Sequence, residues 1–268
     1  NIGIGSSALG GAINGGEYNV AIGNDSLDAL TSADGTTAVG HAAGSAITTG
    51  GANTLFGHQA GLVLTTHESN SIFGFNAGTA LVESNNVIMG RNAAKVATSA
   101  NGNVIIGDNA VEVGVLTGND NVVIGKTAGQ DMTSGEQNVA IGKDALLAAT
   151  SDSYNVAVGT SAGKSIIGGA NNNTLIGIEA GRPLTTGDNN VAVGSEALGS
   201  ASGATTEGNN LAIGANSMKS ANLNGAEFNV AVGNNTLDAI TSGDENVAIG
   251  YEAGSAINTG AENAFVGY

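Results

Sequence analysis

A five-residue block recurs along the chain: Asn, three residues without charge, then Gly, as in Asn19-Val20-Ala21-Ile22-Gly23 and Asn246-Val247-Ala248-Ile249-Gly250. The block opens at Asn1 and returns to Asn263, with Thr36 replacing Asn once, so fifteen full units and a stub fill the sequence. Spacings run from 16 to 20 residues, and nine of them are 17. The β-branched segment before each Gly reads as a short strand. Gly and Asn at this frequency would each cost roughly 0.5 to 1 kcal/mol in a helix interior, so the repeat cannot be helical. The pattern predicts an all-β fold, a parallel β-solenoid of about fifteen 17-residue coils. With neighbouring strands about 4.8 Å apart, fifteen coils would form a rod roughly 70 Å long. No composition shift or proline-rich linker interrupts the series, which predicts one continuous solenoid domain over residues 1–268. The first residue is the first of a unit and the last lies just past a strand, so the expectation is a fragment of a longer array.

Numbering each unit from its Asn separates rigid positions from tolerant ones. Position five is Gly in every unit, which predicts a corner with positive φ or no room for a Cβ. Position eight is Ala except at Ser26, Ser217 and Thr236, and position nine is mainly Gly or Leu. In the 17-residue units position twelve is apolar, thirteen is Thr except at Asn258, and fourteen is Ser or Thr. Every length change falls after position nine, placing the tolerant loop there, with the largest excursion around Gly199 to Gly208. The recurrent Asn reads as a ladder whose amides bond along the stack, a structural role rather than a ligand site.

Both faces of the strand are apolar. Position four is always Ile, Val, Phe or Met, as a solenoid core requires, and position three is never polar (Ala21, Leu55, Ile72, Val123, Ala192, Phe265). Successive strand residues point to opposite faces. Position three is therefore expected outside, as a stripe larger than the few hundred Å² of apolar surface that soluble monomers usually show. Burying about 40 Å² per coil against a partner, at ~25 cal/mol per Å², gives about 1 kcal/mol per coil.

Composition narrows the classes. The 268 residues include 44 Gly, one Pro (Pro183), no Cys and no Trp, which excludes a disulfide scaffold and a thiol enzyme; Gly lacks the every-third spacing of collagen. A net charge of −16 opposes binding to nucleic acid or anionic lipid. No run approaches the ~20 apolar residues needed to span a bilayer, so no membrane insertion is expected in this segment.

Asn138 to Ala145 and Asn246 to Ala253 carry the pattern NVAIGxxA, which resembles the head repeats of YadA-like trimeric autotransporter adhesins. It is also similar to the NTAVGYxAL-type arrays of phage tail-fibre shafts, and the TTG or TSG segments at Thr48, Thr185 and Thr241 lie nearer that type. The period of about 17 departs from the shorter adhesin repeat. The resemblance implies three chains wound about a common axis: a homotrimeric, non-enzymatic extracellular fibre segment of a virion tail or bacterial cell surface, attaching to a host or surface receptor. It carries over no catalytic, cofactor-binding or metal-binding residue.

His41 and His58 share a position in consecutive coils and should stack about 4.8 Å apart, with His67 nearby; two imidazoles alone do not complete a ligand set. The acids at position seven (Asp25, Asp144, Glu179, Glu196, Glu252) read as a solvated face rather than an acid/base pair. Turns at Gly118-Asn119-Asp120 and Gly243-Asp244-Glu245 are calcium candidates, although the nonapeptide GGxGxDxUx is absent. Ile22 to Leu27 and Ile124 to Gly129 fit the hexapeptide pattern of left-handed β-helix acyltransferases, but once per unit where three are needed. The Thr columns suggest an ice-binding array, against which adjacent Thr residues point to opposite sides.

Overall fold

The computed structural model describes residues 1–199, 206–220, 223 and 225–268. The chain divides into two compact units, Asn1–Ser134 and Gly135–Tyr268. In the first, β1 (Ile2–Ile4), β2 (Val20–Ile22), β3 (Thr37–Val39), β4 (Thr54–Phe56), β5 (Ser71–Phe73), β6 (Val87–Met89), β7 (Val104–Ile106) and β8 (Val122–Ile124) pair in parallel, each with the next in sequence. The second repeats this with β9 (Val139–Ile141), β10 (Val156–Val158), β11 (Thr174–Ile176), β12 (Val191–Val193), β13 (Leu211–Ile213), β14 (Val230–Val232), β15 (Val247–Ile249) and β16 (Ala264–Val266). The protein is an all-β parallel β-solenoid of about fifteen turns. Register follows the repeat slot for slot, Ala38 opposite Leu55 and Ala192 opposite Ala212.

Among the described residues each coil has one three-residue strand, and most of the remainder is turn held by unusual backbone. Position five adopts φ from 127° to 151°. A Cβ at Gly40 would lie 2.3 Å from the carbonyl oxygen of Gly57 in the coil above, so side chains are excluded sterically as well as conformationally. Positions seven and nine are left-handed even where they are not Gly, as at Asp25 (57°), Leu27 (49°), Asp144 (57°) and Leu146 (47°). That conformation costs roughly 1–2 kcal/mol per residue. It is offset by bonds between coils: Asp25 N–H donates to the Ser6 carbonyl at 2.8 Å, and Leu146 N–H to the Ala162 carbonyl at 3.0 Å.

The Asn column is the ladder expected, and it does two things. Each buried amide closes its own coil, as when Asn19 Nδ2 donates to the Ala33 carbonyl at 2.7 Å and Asn155 Nδ2 to the Ala170 carbonyl at 2.8 Å. Its Oδ1 also accepts the backbone N–H of the Asn above, as Asn155 Oδ1 does from Asn173 at 3.0 Å. Thr36 serves less well, its hydroxyl lying 3.4 Å from Asn53 N.

The face assignment expected from the sequence is corrected. Position three lies inside the solenoid: Ala21, Leu55, Ile72, Val123 and Ala192 are all 0% exposed, whereas positions two and four are half-buried or exposed. Pleat parity explains this, because Asn at position one must point inward to close the coil, and position three shares its face. Position three then packs on position nine by exchange of volume. Small faces large at Gly3 and Leu9, Ala21 and Leu27, Ala140 and Leu146, or Ala192 and Leu198; large faces small at Leu55 and Gly61, or Leu175 and Gly181. A Cβ at Gly181 would sit 2.6 Å from Leu175 Cδ2, so the Gly makes room for the Leu. Where both are small, at Ala38 and Gly44, Leu27 and Leu55 of the flanking coils close around the site.

Candidate interaction surface

With position three inside, the strand side chains that face outward are those of positions two and four. Position four is apolar in every coil and is nowhere fully buried: Phe56 is 54% exposed, Met89 43% and Ile249 43%, while others such as Val39, Ile124 and Val193 are half-buried. Phe56 and Phe73 stack with centroids 6.5 Å apart. Each unit thus carries an apolar stripe on its strand face, built from a different position than expected. The strand face is bordered by position six beyond the Gly corner and by the last residue of each coil, which is left-handed and exposed at Tyr18 (φ 60°), Tyr154 (62°) and Phe228 (57°).

The edge at position six holds the expected imidazole stack. His41 and His58 lie 5.2 Å apart with rings 12° from parallel, and Phe75 continues the stack 4.8 Å beyond His58. Asp25 Oδ2 approaches His41 Nε2 at 3.7 Å, and His58 Nδ1 meets Asn76 Oδ1 at 3.3 Å. Nitrogen lone pairs lie in the ring planes, so two nearly parallel rings direct them side by side and do not converge on one ion. His67 is outside this stack; its carbonyl accepts from Asn53 Nδ2 at 2.9 Å. Among the described residues no group of three or more His, Cys, Asp or Glu is placed to hold a metal. Further along the edge Arg91 makes a two-pronged pair with Asp108, Nε to Oδ1 at 2.8 Å and Nη2 to Oδ2 at 3.0 Å. The hydrogen bond to Asp108, and then its charge, hold the guanidinium pKa above its ordinary value.

The acids at position seven form a flank of ion pairs with position ten. Lys164 reaches Asp144 at 3.2 Å, Arg182 reaches Glu179 at 3.2 Å, and Lys219 pairs with Glu196. Where a cation is missing, Asp238 lies near Glu252. Burial first, and the charge of Glu252 in addition, push the Asp238 carboxyl above its ordinary value, while a hydrogen bond to its own backbone opposes this. Glu252 raises the Tyr251 hydroxyl in turn, chiefly through a hydrogen bond.

The calcium-candidate turns belong to a second ladder that sequence reasoning missed. Asn119 Oδ1 accepts from Asn101 N–H at 2.8 Å and Asp244 Oδ1 from Glu227 N–H at 2.9 Å, as Asp34 Oδ1 does from Glu17 N–H at 2.7 Å. These side chains stand two residues before the repeat Asn, where Asp, Asn or Ser recurs, and that recurrence was the available signal. Three residues before the Asn, where Gly and Ala prevail, two buried acids support enlarged loops. Asp152 Oδ1 accepts from Gly169 N–H (2.7 Å) and Ala170 N–H (2.8 Å), and Glu207 Oε1 from Gly225 N–H at 2.9 Å. The Thr column is likewise occupied: Thr31 Oγ1 donates to the Thr48 carbonyl at 3.0 Å and Thr241 Oγ1 to the Asn258 carbonyl at 3.0 Å. Ile22 to Leu27, the hexapeptide-like stretch, contributes one strand end and a turn in a coil with a single strand. Of the loop expected to make the largest excursion, residues 200–205 lie outside the described residues. No family of proteins, no curated protein and no solved structure matches the chain.

Proposed function

We propose that the chain is a structural segment of an extracellular fibre in which three copies wrap their outward strand faces around a common axis, on a virion tail or a bacterial surface. The observation that carries this reading is the apolar column at position four, present in every coil, half-buried or exposed throughout and flanked by position two. A half-exposed Phe such as Phe56 leaves roughly 100 Å² in water, given that aromatic side chains bury about 150–250 Å² when fully enclosed. Repeated coil by coil, such a stripe exceeds what a soluble monomer ordinarily exposes. The assembly has no catalytic role in this reading. Receptor contact comes from the variable loops after position nine, where length changes without disturbing the ladders.

Light scattering under native conditions tests the reading. Three copies give about three times the 25.9 kDa of the chain. Phe56→Asp together with Ile176→Asp should yield a folded monomer, because both side chains are exposed in the single chain (54% and 39%) and a charge there harms only an interface. A parent that is a stable monomer at micromolar concentration sinks the proposal.

A further inference from the structure

The two edges of the apolar face differ in charge. At position six the exposed residues include Arg91, Lys126 and Lys143, and the one acid there, Asp108, is neutralised by Arg91. Lys143 keeps its side chain 60% exposed; it stands 3.8 Å from Asp144, which Lys164 reaches more closely at 3.2 Å. At the opposite edge, the last two residues of each coil supply acids repeatedly, among them Glu68, Asp120, Glu136 and Glu245, and no Lys or Arg in any coil; Glu136 Oε1 also accepts from the Tyr154 hydroxyl at 3.3 Å, and Asp188 is engaged in the second ladder, its Oδ1 accepting from Asn171 N–H at 2.6 Å. Asp120 and Lys126 belong to the coil level of Asn121, and Glu136 and Lys143 to that of Asn138.

Symmetry converts this asymmetry into a pairing rule. When copies are related by rotation about an axis along the solenoid, the position-six edge of each meets the coil-end edge of the next at equal height. An antiparallel pair related by a perpendicular twofold axis instead sets like edges together, acids against acids. Only the first arrangement joins the cationic edge to the acidic one. We infer that Lys126 and Lys143 of each copy pair with Asp120 and Glu136 of the neighbouring copy, so that these edges select parallel, side-by-side packing of this chain with itself. The inference rests on the proposed homotrimer and names the contacts that orient it. The apolar columns cannot supply this choice, because they are alike from coil to coil and equally well covered by an antiparallel copy.

The experiment compares five chains by light scattering and sedimentation across a dilution series at about 20 mM and 500 mM salt, with circular dichroism as the check on folding. The parent must first assemble; a monomeric parent overturns the homotrimer reading and this pairing with it. With an assembled parent, Lys126→Glu with Lys143→Glu should move the dissociation midpoint at least about tenfold upward at low salt, since like charges then face each other at every junction. Asp120→Lys with Glu136→Lys should do the same. The chain carrying all four changes should assemble as the parent does, because the edges are complementary again. Lys95→Glu, with the charge change of one edge reversal but at position ten, should leave assembly unchanged, and the effects should fade at high salt where screening shortens to a few Å. Reversed chains that assemble like the parent, or a fourfold swap no better than the double reversals, would overturn the pairing while leaving the apolar interface intact.

Discussion

Replacing Asn155 by Ala tests the ladder at a point where every partner is defined. Asn155 Nδ2 donates to the carbonyls of Ala170 (2.8 Å) and Ser153 (3.1 Å) and to Asn138 Oδ1 (3.3 Å), and its Oδ1 accepts from Asn173 N–H (3.0 Å) and Nδ2 (3.1 Å). The site is fully buried, so water cannot replace what is lost. Removing the side chain strands the Asn173 N–H, at about 1–3 kcal/mol, and forfeits coil-closing bonds worth about 1 kcal/mol net each. The expected loss is about 3–5 kcal/mol, borne locally because each coil contacts only its neighbours. Asn155→Thr should cost less, since Thr36 already fills the column with a hydroxyl 3.4 Å from Asn53 N. Urea unfolding followed by circular dichroism gives the free energy, and hydrogen exchange at the Asn173 amide gives the local effect. A change under about 0.5 kcal/mol with Asn173 exchange unaltered would refute the reasoning and make the column incidental.

Two further outcomes follow from the packing and charges. Ala192 is wholly buried between Leu175 and Ala212, so Ala192→Glu should unfold the surrounding coils, at several kcal/mol for an unpaired buried ion, with loss of the circular dichroism signal even in dilute monomer; a folded variant altered only in oligomer size would return position three to the outside. Asp238 has a raised folded pKa, so its contribution favours the fold below the ordinary carboxylate pKa and is lost as pH rises through the folded value; Asp238→Asn should therefore raise the melting temperature at pH 7 and lose that advantage at pH 3, and equal melting at pH 7 would contradict it.

The sequence alone was enough for the period, the Gly corner, the Asn ladder and the stacking of His41 on His58. These follow from one position recurring above itself, so that what a slot demands in one coil it demands in all. It also determined that two strand faces are apolar, which is the origin of the proposed interface. Which face lies inside was not legible in the letters and emerges only from the closed coil. Hydrophobicity cannot set the parity of a strand whose positions three and four are both apolar, and the choice falls to closure of the coil. Asn points inward because its amide must reach the carbonyl three residues before the next Asn, and position three follows it by pleat parity. The exchange of volume between positions three and nine, as between Ala192 and Leu198 or Leu175 and Gly181, was present in the letters. It acquires meaning only once folding brings the two positions together across the core, six residues apart in the chain and in contact only because the Gly corner turns the backbone between them.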